Sequence, residues 1–328
     1  MPSTSLGASD LDVTPIGLGL AALGRPAYVN LGHGEDVGPV PGIDEMRARC
    51  HEVLDAAWAG GVRYLDAARS YGRAEEFLAG WAWAREIDPT EVTIGSKWGY
   101  EYTAGWQVDV EVHERKDHSV GHLRHQLAES RSLLGPYLDL YQIHSATFDT
   151  GVLDDRAVLD ELAGLREEGL LVGVSVSGRL QRDLVRKAMD VEYDGTFLFG
   201  TVQATWNLLE RSVEPALGEA GHEGIGVIVK EALANGRLTD RCPDPDLLDL
   251  LQDAATAAGS TVDALAMAAP LARPWCDVVL SGAATPEQVE SNLGALAVEW
   301  TDDLERRTAE LVEEPEAYWS TRSNLPWT

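Results

Sequence analysis

Eight short β-rich runs, segments of helical apolar spacing between them, and strands that read as almost continuously apolar predict an α/β protein folded as a (β/α)8 TIM barrel. The β-rich runs are residues 13–23, 61–66, 92–97, 138–144, 171–177, 200–207, 226–230 and 278–282. Apolar residues recur at helical spacing over 46–59, 74–83, 123–134, 158–165, 180–189 and 288–296. Ser119, Asp154 and the Thr285-Pro286 pair are the expected helix starts. Strand precedes helix throughout, and eight such units in 328 residues favour a closed barrel over an open doubly wound sheet.

No linker or composition shift divides the chain, so residues 1–328 are expected to form one domain. The longest irregular stretches, 24–42 and 98–117, both follow strands and belong on the C-terminal face of a barrel, where long connections carry function. The first contains NLGHGEDVG, residues 30–38, which reads either as a phosphate cradle or as a flexible loop. The glycine string GLGLAALG, residues 17–24, lacks dinucleotide-fingerprint spacing and no helix opens directly from it; a tight first strand accounts for it.

Acidic residues outnumber basic ones 54 to 26, and the formal net charge of −28 disfavours nucleic acid and anionic membrane surfaces. The start lacks the charged and apolar regions of a secretory signal, and no stretch approaches the roughly 18 apolar residues of a membrane span. A soluble, cytoplasmic protein is expected. Cys50, Cys242 and Cys276 are odd in number and scattered, which supports neither a disulfide framework nor a paired-cysteine metal site.

Three successive strands end in polar groups: Asp66 in VRYLDAARSYG, Lys97 in VTIGSKWG and His144 in LDLYQIHS. A barrel gathers strand ends at one mouth, and a charge there is costly unless paired, so Asp66 and Lys97 are expected partners. Tyr71 follows Asp66 closely enough to lean over the same mouth. A phenol with an ordinary pKa of about 10 transfers protons poorly at neutral pH unless a cation favours its phenolate, and Lys97 would supply that cation. His144 would donate to a carbonyl oxygen on which charge develops.

With these residues in place the chain resembles an aldo-keto reductase. The similarity runs in order through GLGLAAL, DAARSYG, GSKWG, LDLYQIH, LVGVSVSG, VQATWN, GVIVKEALANGRLT and SGAATPEQVESN, nearly the whole length. It implies an oxidoreductase using NADPH or NADH, with Tyr71 as general acid, Lys97 and Asp66 tuning it, and His144 orienting the carbonyl. Ser175 and Gln203 would contact the nicotinamide amide, and Trp206 stands where a tyrosine usually stacks on that ring. Leu233, Asn235, Gly236 and Arg237 would follow the pyrophosphate, with Gly282, Gln288 and Asn292 toward the adenosine. The pattern departs from the family at Val176, where asparagine is usual, and at Lys230 and Glu231. No lysine or arginine lies between Ser281 and Asn292, where a 2′-phosphate would want one, so both cofactors stay open.

The expected partner is a small neutral carbonyl compound or sugar, reduced or, in the opposite direction, oxidised. A cofactor-binding regulatory subunit with little turnover is the reading from another class; the barrel needs no partner to close its sheet, so a monomer is the starting expectation, with a homodimer also open. Trp98 is expected to wall the substrate pocket, with Tyr100, Tyr102 and Trp106 as further wall or loop packing. His118, His122 and His125 share a helix face that could ligate a metal or simply face solvent, and no metal site is expected. Trp81 and Trp83 read as helix packing, and Glu75 and Glu76 as acidic residues at a helix start. The tail EAYWSTRSNLPWT either covers the mouth or anchors on the flank.

Overall fold

A computed structural model describes residues 1–38 and 42–328; residues 39–41 of the first long connection lie outside the described residues. The eight runs become strands β1 (Ile16–Gly19), β2 (Tyr64–Asp66), β3 (Thr93–Trp98), β4 (Leu140–Ala146), β5 (Leu171–Val176), β6 (Thr201–Thr205), β7 (Gly226–Lys230) and β8 (Val278–Ser281). Each pairs in parallel with its successor, and β8 returns to β1 to close the barrel. The outer helices that follow these strands include Ile43–Ala59, Ala74–Ala84, Val120–Leu134, Arg156–Glu167 and Pro286–Leu293.

Apolar spacing does not single out Glu214–His222, Pro245–Ala258 or Val262–Leu271, which are also helices. In Val262–Leu271 nearly every residue is buried, which leaves no polar face to create a period. Ser119 and Thr285 cap their helices as expected, each accepting a backbone N–H at 3.3 Å. The cap of Arg156–Glu167 is Asp155 rather than Asp154, which pairs instead with Lys187 at 2.5 Å.

The first strand is shorter than the run that predicts it. Asp12–Val13 turns back to pair antiparallel with Thr4–Ser5, and this hairpin closes the barrel floor. Leu6 and Val13 pack there with the inward Tyr64, Leu140, Ile228, Val278 and Leu280. Gly7 makes the docking possible: its φ is +57°, and a Cβ would lie 2.4 Å from the Gly226 nitrogen. The floor is thus apolar, and the polar inward residues one layer higher point toward the mouth.

The connections over that mouth are more ordered than the sequence suggests. Within residues 98–117, Tyr100–Tyr102 and Glu114–Lys116 form an antiparallel ribbon. The NLGHGEDVG stretch contains a short helix, His33–Val37. The tail covers the mouth, because Thr328 and Tyr28 exchange two backbone hydrogen bonds of 3.1 Å. Among the described residues no helix is long and apolar enough to cross a membrane.

Candidate active site

Successive residues of a strand face opposite sides, so inward Tyr64 places Asp66 inward, and Gly95 likewise places Lys97. Parallel register sets Asp66 opposite Gly95, two residues before Lys97 on the neighbouring strand. The Lys97 Nζ donates to Asp66 and, at 3.1 Å, to the Ala67 carbonyl. Both side chains are about 1% exposed, so each ion depends on the other for compensation. Asp66 also accepts from Gln203 Nε2 at 2.9 Å, with Tyr64 and Gln142 more distant at 3.3 and 3.4 Å.

His144 sits in an irregularity of the β4–β5 ladder between Ile143 and Ala146, where Ser145 takes a φ of +51°. Its Nδ1 lies 3.4 Å from the Ser70 hydroxyl, and with that nitrogen as acceptor the hydrogen is carried on Nε2. The ring meets Tyr71 edge-on at 5.5 Å and Tyr100 at 5.0 Å. Tyr71 is held by a turn in which its N–H donates to the Ala68 carbonyl and its carbonyl accepts from Ala74. Gly24 abuts this turn so closely that a Cβ would fall 2.0 Å from the Tyr71 carbonyl oxygen.

Burial, followed by the Asp66 and Glu114 carboxylates, pushes the Tyr71 phenol well above 10.0, against the opposing pull of Arg25. This reverses the expected drift toward phenolate. Lys97 lies 5.1 Å from the Tyr71 ring centroid, but Asp66 neutralises it and adds its own negative charge. His144 moves well below 6.5 through burial and the nearby Lys97, Lys230 and Arg25. The pair at neutral pH is therefore a protonated phenol beside an uncharged imidazole.

A cavity of about 600 Å³ opens from this pair toward β8. Gln203, Leu233, Asn235, Gly236, Gly282, Gln288 and Asn292 line it, together with Asp66, Tyr71 and His144. Ser175 is fully buried beside Gln203 in register and does not itself line the cavity. Three expected residues face elsewhere. Trp98, next to inward Lys97, points outward against His118 at 5.6 Å. Trp206 follows inward Thr205 and is buried behind the barrel, donating to Glu214 at 3.1 Å and meeting Trp275 edge-on. Arg237 pairs with Glu313, Nη1 at 3.2 Å, and lies over Tyr318.

His118 does not join a metal set. Its Nε2–H donates to the His144 carbonyl at 3.0 Å, and burial pushes its pKa down to about 4. Among the described residues no group of three or more His, Cys, Asp or Glu is arranged to hold a metal ion. Trp81 is buried and donates to Asp55, whereas Trp83 is 81% exposed, on the opposite side of the same helix. Glu76 pairs with surface Arg47 and Arg73, but Glu75 is buried and accepts from Ser96, Ser130 and Arg69 at 2.6, 2.7 and 2.5 Å. The helix dipole accounts for Glu76 alone; Glu75 ties β3 to two helices.

The cavity wall adds Arg25, Glu114 and Tyr28, which the sequence motifs do not mark, to Tyr100, Lys230, Glu231 and the tail, which the sequence reading names without a settled role. Arg25 and Glu114 pair at 2.7 Å, Arg322 and Glu231 at 2.6 Å, and Tyr28, Tyr100 and Trp327 supply aromatic surface. Lys230 ends β7 facing inward, with the Thr205 hydroxyl as hydrogen-bond acceptor at 3.2 Å. Burial, against the pull of Glu231, lowers its pKa from 10.5 to about 8, while Arg322 and Lys230 outweigh burial and hold Glu231 at about 2.

A lysine whose folded pKa is depressed costs stability below the folded value, and that cost disappears between about 8 and 10.5 as the pH rises. Lys230→Met is accordingly expected to raise stability at pH 7 by about 1–3 kcal/mol, part of the gain being offset at Glu231. Denaturant unfolding at pH 7 and pH 10 checks this: the advantage of the variant should shrink at the higher pH. A variant less stable than the parent at pH 7 contradicts the assignment.

The sequence model of the Aldo/keto reductase family matches residues 15–313. An "NADH-specific methylglyoxal reductase" of Escherichia coli strain K12 is 26% identical, over 95% of this chain and 100% of its own. An "L-galactose dehydrogenase" of Arabidopsis thaliana is 25% identical, over 98% and 96% respectively. An aldo-keto reductase of Bacillus halodurans, solved in its holo form, superposes with a TM-score of 0.72 at 21% identity, covering 96% of this chain and 97% of that one. The closed barrel, the gathered strand ends and the family match over nearly the whole length place this chain in the Aldo/keto reductase family, as an NAD(P)H-dependent oxidoreductase.

Proposed function

We propose that the protein reduces a small, neutral, oxygen-rich aldehyde or 2-oxoaldehyde to the alcohol, with Tyr71 as the proton donor. The observation that carries this reading is the Tyr71 phenol, which its surroundings keep protonated, edge-on to an uncharged His144 where both line the cavity. An acid that burial keeps protonated suits delivery of a proton to a forming alkoxide better than removal of one from an alcohol. The wall around it presents paired charges of both signs and aromatic faces, which suits hydroxyl-bearing substrates better than strongly anionic ones.

The cavity residues fit a nicotinamide dinucleotide. The Ser175 hydroxyl and the Asn235 Oδ1 are buried without hydrogen-bond partners, and beyond Gly282 nothing lies within 4 Å of a Cβ position. Gln203 would meet the carboxamide, with Ser175 beside it in register on the neighbouring strand, while Leu233, Asn235 and Gly236 would border the phosphates and Gly282 the adenosine. When bound, this cofactor supplies the hydride. Tyr71 and the Nε2–H of His144 would orient the carbonyl by donating to its oxygen, and Tyr71 would then pass its proton to that oxygen. Asp66 keeps Lys97 in place beneath the phenol.

The test is reduction of methylglyoxal and of short aldoses by the purified protein, followed by loss of reduced nicotinamide absorbance. Carbonyl-dependent oxidation of the cofactor is expected with at least one of them. Oxidation of L-galactose or related sugars with NAD, with no reduction of any carbonyl, would reverse the direction. Cofactor binding without turnover in either direction would leave a binding subunit in its place.

A further inference from the structure

We infer that Asp36 makes the enzyme select NADH over NADPH, by neutralising Arg241 at the end of the cavity that receives the adenosine. This rests on the proposed function, since the reacting ring has to lie beside Tyr71 and the other half of the dinucleotide therefore runs toward β8. That far end is walled by Ser281, Gln288, Asn292 and Arg241. NADPH differs from NADH there by a 2′-phosphate, which carries nearly two negative charges and needs a free cation.

The charges at this end oppose it. Among the described residues that line the cavity, Arg25, Lys230 and Arg322 belong to the Tyr71 end, and Arg241 is the cation at the far end. Asp36 grips both terminal nitrogens of Arg241, at 2.7 and 2.5 Å, and its side chain is 7% exposed. Gln288 Nε2 donates to the same carboxylate at 2.9 Å, so one hydrogen of that amide is already engaged. Asp240, Asp263 and Glu287 line the same end and add negative charge. A phosphate would meet a surplus of carboxylates, whereas the ribose hydroxyls of NADH can donate to them.

The pairing is built into the loop. Leu31 donates its N–H to the Asn235 carbonyl at 3.0 Å, and Asn235 Nδ2 donates to the Val29 carbonyl at 2.7 Å. Gly32 lies close against the guanidinium: its φ is +76°, and a Cβ would come within 2.4 Å of Arg241 Nη1. Arg241 and Gln288 outweigh burial and hold the Asp36 carboxyl below its usual range, so it is charged at neutral pH.

Equilibrium titration of the whole protein with NADH and NADPH, read by tryptophan fluorescence, tests the inference. Calorimetric titration with 5′-AMP and adenosine 2′,5′-bisphosphate repeats the comparison at the adenosine end alone. The parent is expected to bind the member of each pair that lacks the 2′-phosphate about tenfold more tightly, or better. Asp36→Asn keeps the shape but frees Arg241, and should tighten binding of the 2′-phosphorylated member by about tenfold while NADH stays within about threefold. Adding Arg241→Ala to Asp36→Asn should remove that gain. Equal binding of NADH and NADPH by the parent, or an unchanged ratio in a folded Asp36→Asn, overturns this inference alone. Binding of neither dinucleotide overturns the proposed function and this inference with it.

Discussion

Tyr71→Phe is expected to lower kcat for carbonyl reduction by about 10²–10⁴-fold while leaving nicotinamide cofactor binding and thermal stability close to those of the parent. The ring contacts with His144 at 5.5 Å, Lys97 at 5.1 Å and Arg25 at 5.5 Å persist in phenylalanine, so only the proton donor is removed. Steady-state kinetics with a separate cofactor titration read the two effects apart. A variant that retains most of its turnover would take the proton delivery away from Tyr71. The parent carries a companion signature in its pH profile. Since His144 titrates well below 6.5 and Tyr71 well above 10.0, neither produces a step in kcat/KM near pH 6.5. A step there assigned to His144 would show that the imidazole is charged, contrary to its surroundings.

The parts of this site that were legible in the sequence are those that one rule of geometry collects. A closed barrel brings every strand end to the same mouth, so Asp66, Lys97 and His144 could be grouped before any contact was known. The alternation of a strand carries the rest of that rule, and it explains the misplaced tryptophans. If Lys97 faces inward, Trp98 faces outward, and Trp206 stands in the same relation to Thr205. Lys230 ends an apolar run as Lys97 does, and the family resemblance marks it only as a departure, without a role.

Contacts between connections left no such signal. Asp36 and Arg241 are 205 residues apart, and Glu231 and Arg322 are 91 apart. Such pairs have no period, and either member alone reads as an ordinary surface charge. Glu75 and Glu76 illustrate the limit at its shortest range, since adjacent acids in one helix turn meet a buried hydroxyl network and solvent respectively.

The second large effect is expected from Lys97→Met, which should destabilise the fold by about 3–5 kcal/mol and abolish turnover. The substitution roughly keeps the volume but leaves the Asp66 carboxylate about 1% exposed without its cation. Gln203, Tyr64 and Gln142 still donate to it, which places the cost toward the lower part of that range. Burial then raises the carboxyl pKa of the folded variant above the unfolded value of about 3.9, so the folded form binds more protons. Its deficit should therefore be small in acid and grow as the pH rises through the raised pKa, which denaturant unfolding over a pH series can follow. Adding Asp66→Asn removes the stranded charge and should recover most of the stability, because an amide can still accept from Gln203. Turnover should not return with it, because the double variant lacks both the lysine beneath the phenol and the carboxylate that helps keep it protonated. A stable double variant that reduces its substrate at the parent rate would mean that the ion pair serves the barrel and not the reaction.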